Sequence, residues 1–237
     1  MKILKFIAFY IIFFPMTIFF SLIAMASRTQ KSAHWCERNW GKMTSWLTGS
    51  IDDVDLSALD KNETYVFMVN HQSFYDIPLL FNHLAPWEFK FVAKKSLFEF
   101  PIFGHAMSAT NHISIDRTNR RQGMKDIQHA VEVAAGGNCP LIFPEGTRNP
   151  DPARLLPFKT GGMVLALRCQ KPIAPIVIYG ANEVCKKGSL FMHPYRKIKI
   201  KALPPIDISE YTVRDRVELR DKLQAAMDAA YAELKNE

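Results

Sequence analysis

The sequence has few cysteines and no pattern typical of a metal site or a redox pair. Its cysteines form no CxxC pair and no Cys/His cluster with zinc-like spacing; they are Cys36, Cys139, Cys169 and Cys185. No HExxH motif and no His-rich tract is present, so we predict no metal site. Free thiols in a reducing compartment are expected. A GxSxG turn is also missing, so the sequence does not predict a serine hydrolase.

Charge is nearly absent from the first stretch of the chain, where Lys5 is the only charged residue between Ile3 and Ala26. About 20 apolar residues are enough to cross a bilayer as a helix, and Pro15 in the middle predicts a kink. The early lysines and the closing Ala-Met-Ala triplet also resemble a secretory signal. The apolar run is longer than the roughly 7–15 residues of a signal core, so we predict a retained membrane anchor.

Three of the four tryptophans lie in the next segment, Ser32–Leu47. One interpretation is an amphipathic helix that lies on a membrane surface. The alternative is a helix that packs its aromatic face on the rest of the protein. We predict a two-helix membrane-anchoring module over residues 1–50 and a second domain over 51–237. The stripe expected at helical spacing contains Cys36, Trp40, Met43 and Leu47, with Trp35 and Trp46 beside it.

From about Asn62 onward, strand-like and helix-like patterns alternate. Short apolar or β-branched runs predict buried strands at 64–69, 89–93, 112–115, 140–143 and 173–179, and strict alternation predicts another at 196–203. Helical patterns fall at 77–84, 122–135, 158–170 and 213–234. The fold class predicted is α/β, with a central, mostly parallel sheet flanked by helices. The acidic stretch Asp52–Asp60 is expected to be a connector.

The segment VNHQSFYDIP, residues 69–78, places a histidine and an aspartate at the end of a predicted strand. If the following helix starts near Ser73 as its N-cap, His71 lies in the loop and Asp76 in the first helical turn. The carboxylate can then hold one imidazole nitrogen while the other accepts a proton from a hydroxyl. A purely structural loop histidine bonded to a capping aspartate fits this stretch equally well.

Cationic side chains follow three further predicted strands. In IFPEGTRNP, residues 142–150, Gly146 permits a tight turn, and Arg148 can grip a phosphate with its planar fork. A loop salt bridge between Arg148 and Glu145 is the structural alternative. Lys94 and Arg117 follow two other strands. The net charge of +7 and the pI of about 9.2 also favour an anionic partner, whether nucleic acid, lipid headgroup or phosphorylated substrate.

Five segments carry a resemblance to a known family. NHQSFYD, KKSLFEFPIFG, IDR, FPEGTR and KPIAPIVI stand in the order and approximate spacing of the motif blocks of the glycerolipid acyltransferases, and the sequence resembles the bacterial members that acylate 1-acyl-sn-glycerol-3-phosphate. LLPFKTGG and LPPIDIS extend the resemblance over nearly the whole chain. One position departs from the pattern, because His112 stands before the IDR block where a small or apolar residue is usual. We interpret His112 as structural.

The resemblance implies transfer of a fatty acyl group to the sn-2 hydroxyl of lysophosphatidic acid, giving phosphatidic acid for phospholipid biosynthesis. The donor would be acyl-coenzyme A or acyl carrier protein, with no other cofactor. His71 would be the general base and Asp76 its partner, which suits direct transfer without an enzyme nucleophile. The substrate-binding residues implied are Lys94, Arg117, Glu145, Gly146, Thr147 and Arg148. The resemblance also implies an inner-membrane protein with its catalytic domain on the cytoplasmic face.

Two other functions remain open from the sequence. A family member with a different acceptor, such as glycerol-3-phosphate or another lysophospholipid, would carry the same motifs. A basic membrane protein that binds anionic lipids without catalysis is the alternative from another class. Nucleic acid is not expected as a partner, because no reader motif and no stacking platform accompanies the basic residues.

Overall fold

The computed structural model describes residues 2–116 and 120–236, and Arg117 lies outside them. Within these ranges the helices are α1 (Lys2–Ala26), α2 (Gln30–Thr48), α3 (Asp76–His83), α4 (Phe103–Ala109), α5 (Arg120–Ala135), α6 (Gly161–Cys169), α7 (Ala181–Val184) and α8 (Arg216–Asn236). The strands are β1 (Ile51–Asp55), β2 (Val66–Val69), β3 (Phe89–Lys94), β4 (Ile113–Ile115), β5 (Cys139–Ile142), β6 (Ile173–Tyr179) and β7 (Lys197–Ala202). Strands and helices alternate from β2 to β6, as predicted.

The strands form a sheet in the order β1-β7-β6-β2-β5-β3-β4. All neighbouring pairs are parallel except β6 and β7, so the predicted mostly parallel α/β sheet is confirmed. β2 and β5 are buried along their whole length, which is why their sequences read as continuous apolar runs. Since β2, β3 and β5 are parallel, their carboxyl ends meet at the same edge of the sheet, where sites in such sheets usually form.

Two elements differ from the sequence expectation. The acidic connector is wrong in part, because Ile51–Asp55 is the edge strand β1. It pairs in parallel with β7, in a register that sets Asp53 beside Lys199 and Asp55 beside Lys201. Opposite charges on neighbouring strands favour this pairing. The strand was not predicted because its acidic composition is not typical of a strand. The short helix α4 was also not predicted.

The apolar helix α1 packs one side against the rest of the protein. Phe9, Phe13 and Phe20 lie in a core cluster that continues through α2 into β2, β5 and β6. Trp40 of α2 donates its indole N–H to Thr17 of α1 at 3.0 Å. Helix α1 continues through Pro15 and, among the described helices, is long and apolar enough over residues 7–26 to cross a membrane.

The tryptophan-rich helix α2 divides the predicted stripe between two environments. Cys36 and Trp40 are buried between α1 and α3, where the Trp40 ring lies 6.1 Å from that of Phe81. Met43 is exposed, so the single apolar stripe is wrong. Trp35 and Trp46 are exposed as well, and Trp46 has 77% of its surface accessible. The packing interpretation therefore describes one side of α2 and leaves an apolar side facing outward.

Candidate active site

A cavity of about 410 Å³ lies between the N-terminal helices and the β3–α4 region. His71 lines it at the carboxyl end of β2, together with residues from the loop after β5. Aromatic and aliphatic side chains form much of the remaining wall; they include Phe20, Trp40, Phe81, Phe91, Phe103 and Met107. The cavity thus joins a polar mouth to an apolar interior.

His71 and Asp76 form the pair expected from the sequence. The Nδ1 atom of His71 lies 2.7 Å from Oδ2 of the fully buried Asp76. The same oxygen accepts the backbone N–H groups of Gln72 at 2.7 Å and Ser73 at 2.9 Å. Because donors converge on Oδ2, His71 Nδ1 carries the proton and Nε2 remains a proton acceptor.

The predicted N-cap is wrong, because α3 begins at Asp76 and Ser73 does not cap it. The hydroxyl of Ser73 donates to the carbonyl of Cys185 at 2.6 Å and accepts the N–H of Tyr75 at 3.0 Å. It is therefore committed to the backbone and is not bonded to His71. Asp76 accepts the amides of Gln72 and Ser73, and the Ser73 hydroxyl accepts that of Tyr75, so the amides that precede the helix are satisfied within the loop.

The loop after β5 holds His71 from the other side. The N–H of His71 donates to Oε1 of Glu145 at 2.7 Å, and its carbonyl accepts the N–H of Asn149 at 2.6 Å. The imidazole ring stacks on Phe143 with centroids 3.9 Å apart. These contacts leave the ring little freedom, so its Nε2 atom is held in one direction.

Glu145 supports this arrangement from behind the cavity wall. Its Oε1 atom accepts the His71 amide, and its Oε2 atom accepts the amide of Leu156 at 3.0 Å. Burial raises the pKa of the Glu145 carboxyl to about 7. Both oxygens are thus used by the main chain, and the loop salt bridge to Arg148 does not form. Among the predicted substrate-binding residues within the described ranges, Glu145 is the one that does not line the cavity.

The other predicted substrate-binding residues that are described lie at the cavity mouth. Gly146, Thr147 and Arg148 follow β5, and Lys94 ends β3. Gly146 has a φ angle of 71°, which side chains disfavour, so the tight turn predicted from the sequence is present. Across residues 2–116 and 120–236, Arg148 and Lys94 form no ion pair. Their charges are therefore free for an anion.

Two further side chains near the site were missed in the sequence. Lys187, from the loop after α7, donates to Thr147 Oγ1 at 3.3 Å and adds a third cation to the mouth. Tyr231 of α8 accepts a hydrogen bond from Gln72, next to His71, and donates to the carbonyl of Pro152 at 2.9 Å. Neither position belongs to a motif. A weak signal for Tyr231 is that it is the sole aromatic residue of its helix.

A buried polar cluster interrupts the apolar cavity wall. His112 accepts the N–H of Phe91 on Nδ1 at 3.0 Å, so its Nε2 atom carries a proton and faces Glu37 Oε1 at 3.0 Å. Lys90, which is fully buried, lies 3.8 Å from the other oxygen of Glu37. These contacts agree with the structural interpretation of His112. Neither here nor in the rest of the described chain is a group of three or more His, Cys, Asp or Glu residues placed to hold a metal ion.

Comparisons with known proteins show which family the sequence is similar to. The family model described as Acyltransferase matches residues 50–179. A 1-acyl-sn-glycerol-3-phosphate acyltransferase of Salmonella typhimurium is 33% identical over 173 residues, which cover 73% of this chain and 69% of that protein. A protein of the same name from Limnanthes alba is 36% identical over 179 residues, which cover 75% of this chain. The chain spans 62% of the length of that plant relative.

The fold is also similar to a solved structure over its full length. The crystal structure of the 1-acyl-sn-glycerophosphate (LPA) acyltransferase from Thermotoga maritima matches with a TM-score of 0.84 and 25% sequence identity. The match covers 100% of this chain and 97% of the other. It therefore includes the N-terminal helices as well as the sheet.

Proposed function

Since the chain belongs to the acyltransferase family, we propose that it moves a fatty acyl group from a thioester to the sn-2 hydroxyl of 1-acyl-sn-glycerol-3-phosphate. The product would be phosphatidic acid, and the reaction would serve phospholipid biosynthesis. The donor is acyl-coenzyme A or acyl carrier protein as co-substrate, with no further cofactor. The observation that carries this proposal is the oriented His71–Asp76 pair at the polar mouth of an apolar cavity.

His71 acts as the general base in this proposal. Its Nε2 atom takes the proton of the sn-2 hydroxyl while the hydroxyl oxygen attacks the thioester carbonyl carbon. Asp76 stabilises the imidazolium that forms. The tetrahedral intermediate collapses with cleavage of the carbon–sulfur bond, and the proton passes from His71 to the departing thiolate. No covalent acyl-enzyme is required, which agrees with the Ser73 hydroxyl being bonded to the backbone.

The cations at the mouth bind the phosphate of the acceptor. Arg148 and Lys94 have no acidic partner among the described residues, and Lys187 lies beside Thr147. Arg148 can hold two phosphate oxygens at once, whereas lysines act as point charges. The backbone of Gly146 allows close approach of the ligand, and Arg117 is proposed as a further cation. Glu145 acts by fixing the His71 loop.

Membrane lipids are the proposed environment of the reaction. The exposed side of α1 and the outward tryptophans of α2 would enter the bilayer, and the apolar cavity would receive an acyl chain. We place the protein at the inner membrane with the domain on the cytoplasmic face, because cytosolic thioesters must reach His71. The excess of positive charge suits anionic headgroups.

The direct test is acyl transfer by the full-length protein in mixed micelles. Labelled oleoyl- and palmitoyl-coenzyme A are offered with lysophosphatidic acid, glycerol-3-phosphate or lysophosphatidylcholine in separate reactions. We expect label in phosphatidic acid with the wild type and none above background with His71→Ala. His129→Ala, on the exposed side of α5, serves as the matched control and should retain activity. Arg148→Ala should mainly raise KM for the phosphorylated acceptor.

Other outcomes separate the alternatives. Label only in the product of glycerol-3-phosphate or of lysophosphatidylcholine would assign a different acceptor. No transfer from either coenzyme A or carrier-protein donors, with vesicle binding intact, would contradict catalysis and favour a non-catalytic lipid-binding protein. Full activity of His71→Ala would show that His71 is not the general base.

A further inference from the structure

Three large apolar side chains are exposed within one loop of the α/β domain. In the segment 186–196, called here the 186–196 loop, Leu190 is 70% exposed, Phe191 47% and Tyr195 72%. Single exposed apolar residues are ordinary, but three within six residues form a patch. Lys186, Lys187 and Arg196 flank them, which gives the mixture of aromatic, apolar and basic residues typical of membrane interfaces.

The exposure of these side chains does not come from a loose backbone. The N–H of Ser189 donates to the carbonyl of Lys186 at 3.0 Å, and that of His193 donates to Val184 at 2.8 Å. Further along, the N–H of Tyr195 donates to the carbonyl of Thr48 at 3.0 Å. The loop is thus held in shape while its largest apolar groups point outward.

The loop also continues the apolar surface of the N-terminal helices. Tyr10 of α1 donates its hydroxyl to the carbonyl of Leu190 at 2.6 Å. Tyr195 covers the end of α2, where a Cβ added to Gly49 would lie 2.7 Å from its ring. At the other end, Lys187 reaches Thr147 at the cavity mouth. The loop therefore bridges the outward side of α1 and the candidate active site.

We propose that the 186–196 loop is a second membrane-contact element, which places Leu190, Phe191 and Tyr195 in the interface of an anionic bilayer. Its basic residues lie at the level of the lipid headgroups, where the negative potential of an anionic surface attracts them. The cavity, whose lining residue Thr147 is bonded by Lys187 of the loop, then lies close to the membrane surface in which a lipid acceptor is dissolved. The inference rests on the proposed function in one respect, the membrane contact of α1.

The test is the depth of a fluorophore on the loop of the full-length protein. Leu190→Cys is labelled with an environment-sensitive dye, and Val217→Cys, exposed on α8, is the matched control. The native cysteines are buried and compete little for the label. With vesicles of phosphatidylcholine and phosphatidylglycerol, we expect a blue shift and quenching by lipid-borne quenchers at position 190 only. Protein bound to vesicles without either signal at position 190 would overturn the proposal.

A second pair of variants measures the energetic contribution. Leu190→Ser combined with Phe191→Ser should weaken vesicle binding by about tenfold or more, because both changes remove apolar surface that the membrane interface would bury. Val213→Ser combined with Val217→Ser should leave vesicle binding unchanged. Equal affinity of the two double variants would count against the loop. A blue shift at position 190 that appears without vesicles and grows with protein concentration would instead indicate a second copy on this surface.

These measurements do not depend on catalysis. Insertion at position 190 without any acyl transfer would leave the loop proposal standing and remove the proposed function. Acyl transfer without insertion at position 190 would support the proposed function and remove the loop proposal.

Discussion

A single oxygen of Asp76 sets the tautomer of His71. Oδ2 accepts from His71 Nδ1 and from the amides of Gln72 and Ser73. In Asp76→Asn an oxygen can keep these contacts, but the negative charge that stabilises the imidazolium is lost. We expect kcat to fall by about 10² to 10⁴, with KM for the acceptor nearly unchanged. Steady-state acyl-transfer kinetics measure both.

A second His/Asp pair in the same protein provides the control for this change. His83 Nε2 lies 2.8 Å from Asp52 Oδ2, and neither residue lines the cavity. Asp52→Asn should therefore leave kcat unchanged. If Asp76→Asn retained wild-type turnover, the charge of Asp76 would have no part in the reaction.

The buried carboxyl of Glu145 makes stability depend on pH. Burial raises its pKa from 4.5 to about 7 in the folded state. The folded protein therefore binds this proton more tightly than the unfolded chain does. The stabilising contribution is fully present below the unfolded pKa and is lost as the pH rises through the folded value. We expect the stability of the wild type, relative to Glu145→Gln, to fall between about pH 4 and about pH 8.

Urea unfolding of the two proteins across this range measures the effect. The wild type is compared with its own variant because other groups titrate in both. Parallel stability profiles would mean that Glu145 keeps an ordinary pKa in the folded protein.

The residues of the site differ in how far the sequence predicts them. His71 and Asp76 lie within one strand–loop–helix unit, so local reasoning was enough to bring them together. The N-cap predicted at Ser73 was wrong, because its hydroxyl donates to the carbonyl of Cys185, which follows α7 far along the chain. Lys187 joins the site only through the folding of separate segments, and no local pattern marks such a contact.

At the scale of elements, α8 acts as a brace for the catalytic loop. Tyr231 links Gln72 to the carbonyl of Pro152 from the last turns of this helix. Tyr231→Phe removes the acceptor of a buried amide group, and an unsatisfied buried donor costs about 1–3 kcal/mol. We expect that loss of stability in urea unfolding, together with a lower kcat, because Gln72 adjoins His71.

The same substitution at a tyrosine whose hydroxyl bonds at the surface provides the control for Tyr231→Phe. Tyr211 is partly buried, and its hydroxyl accepts a solvent-exposed hydrogen bond from Lys222 at 3.2 Å. Tyr211→Phe should change stability by less than about 0.5 kcal/mol. Equal stabilities of the two variants would show that α8 does not support the loop through Tyr231.

The elements that the sequence predicted are those whose pattern comes from burial. β2, β5 and β6 are covered on both faces and read as apolar runs, while β7 shows the alternation of a half-exposed strand. Strand β1 was not predicted, because an edge strand of acidic residues shows neither an apolar run nor a buried face. Its partner β7 also lies far along the chain. The division of α2 between core and outside also depends on which neighbours surround it.

At the scale of the whole molecule, α1 has two faces with different roles, and two adjacent phenylalanines separate them. Phe13 is 6% exposed and packs toward Trp40, whereas Phe14 is 56% exposed. Phe13→Ser should cost about 3–5 kcal/mol of stability, as large-to-small changes in cores do. Phe14→Ser should leave the thermal unfolding midpoint unchanged and weaken binding to anionic vesicles, measured by co-sedimentation.

The packed face of α1 also bears on activity, because Thr17, Phe20 and Ala24 form part of the cavity wall. A chain shortened to remove α1 would lose the wall as well as the membrane contact, so its inactivity would not show which role matters. Phe14→Ser keeps the wall. We expect it to retain turnover on micelle-dispersed acceptor and to lose activity on vesicles. Loss of turnover in micelles as well would mean that the outward face of α1 serves the fold, and that the membrane contact lies elsewhere.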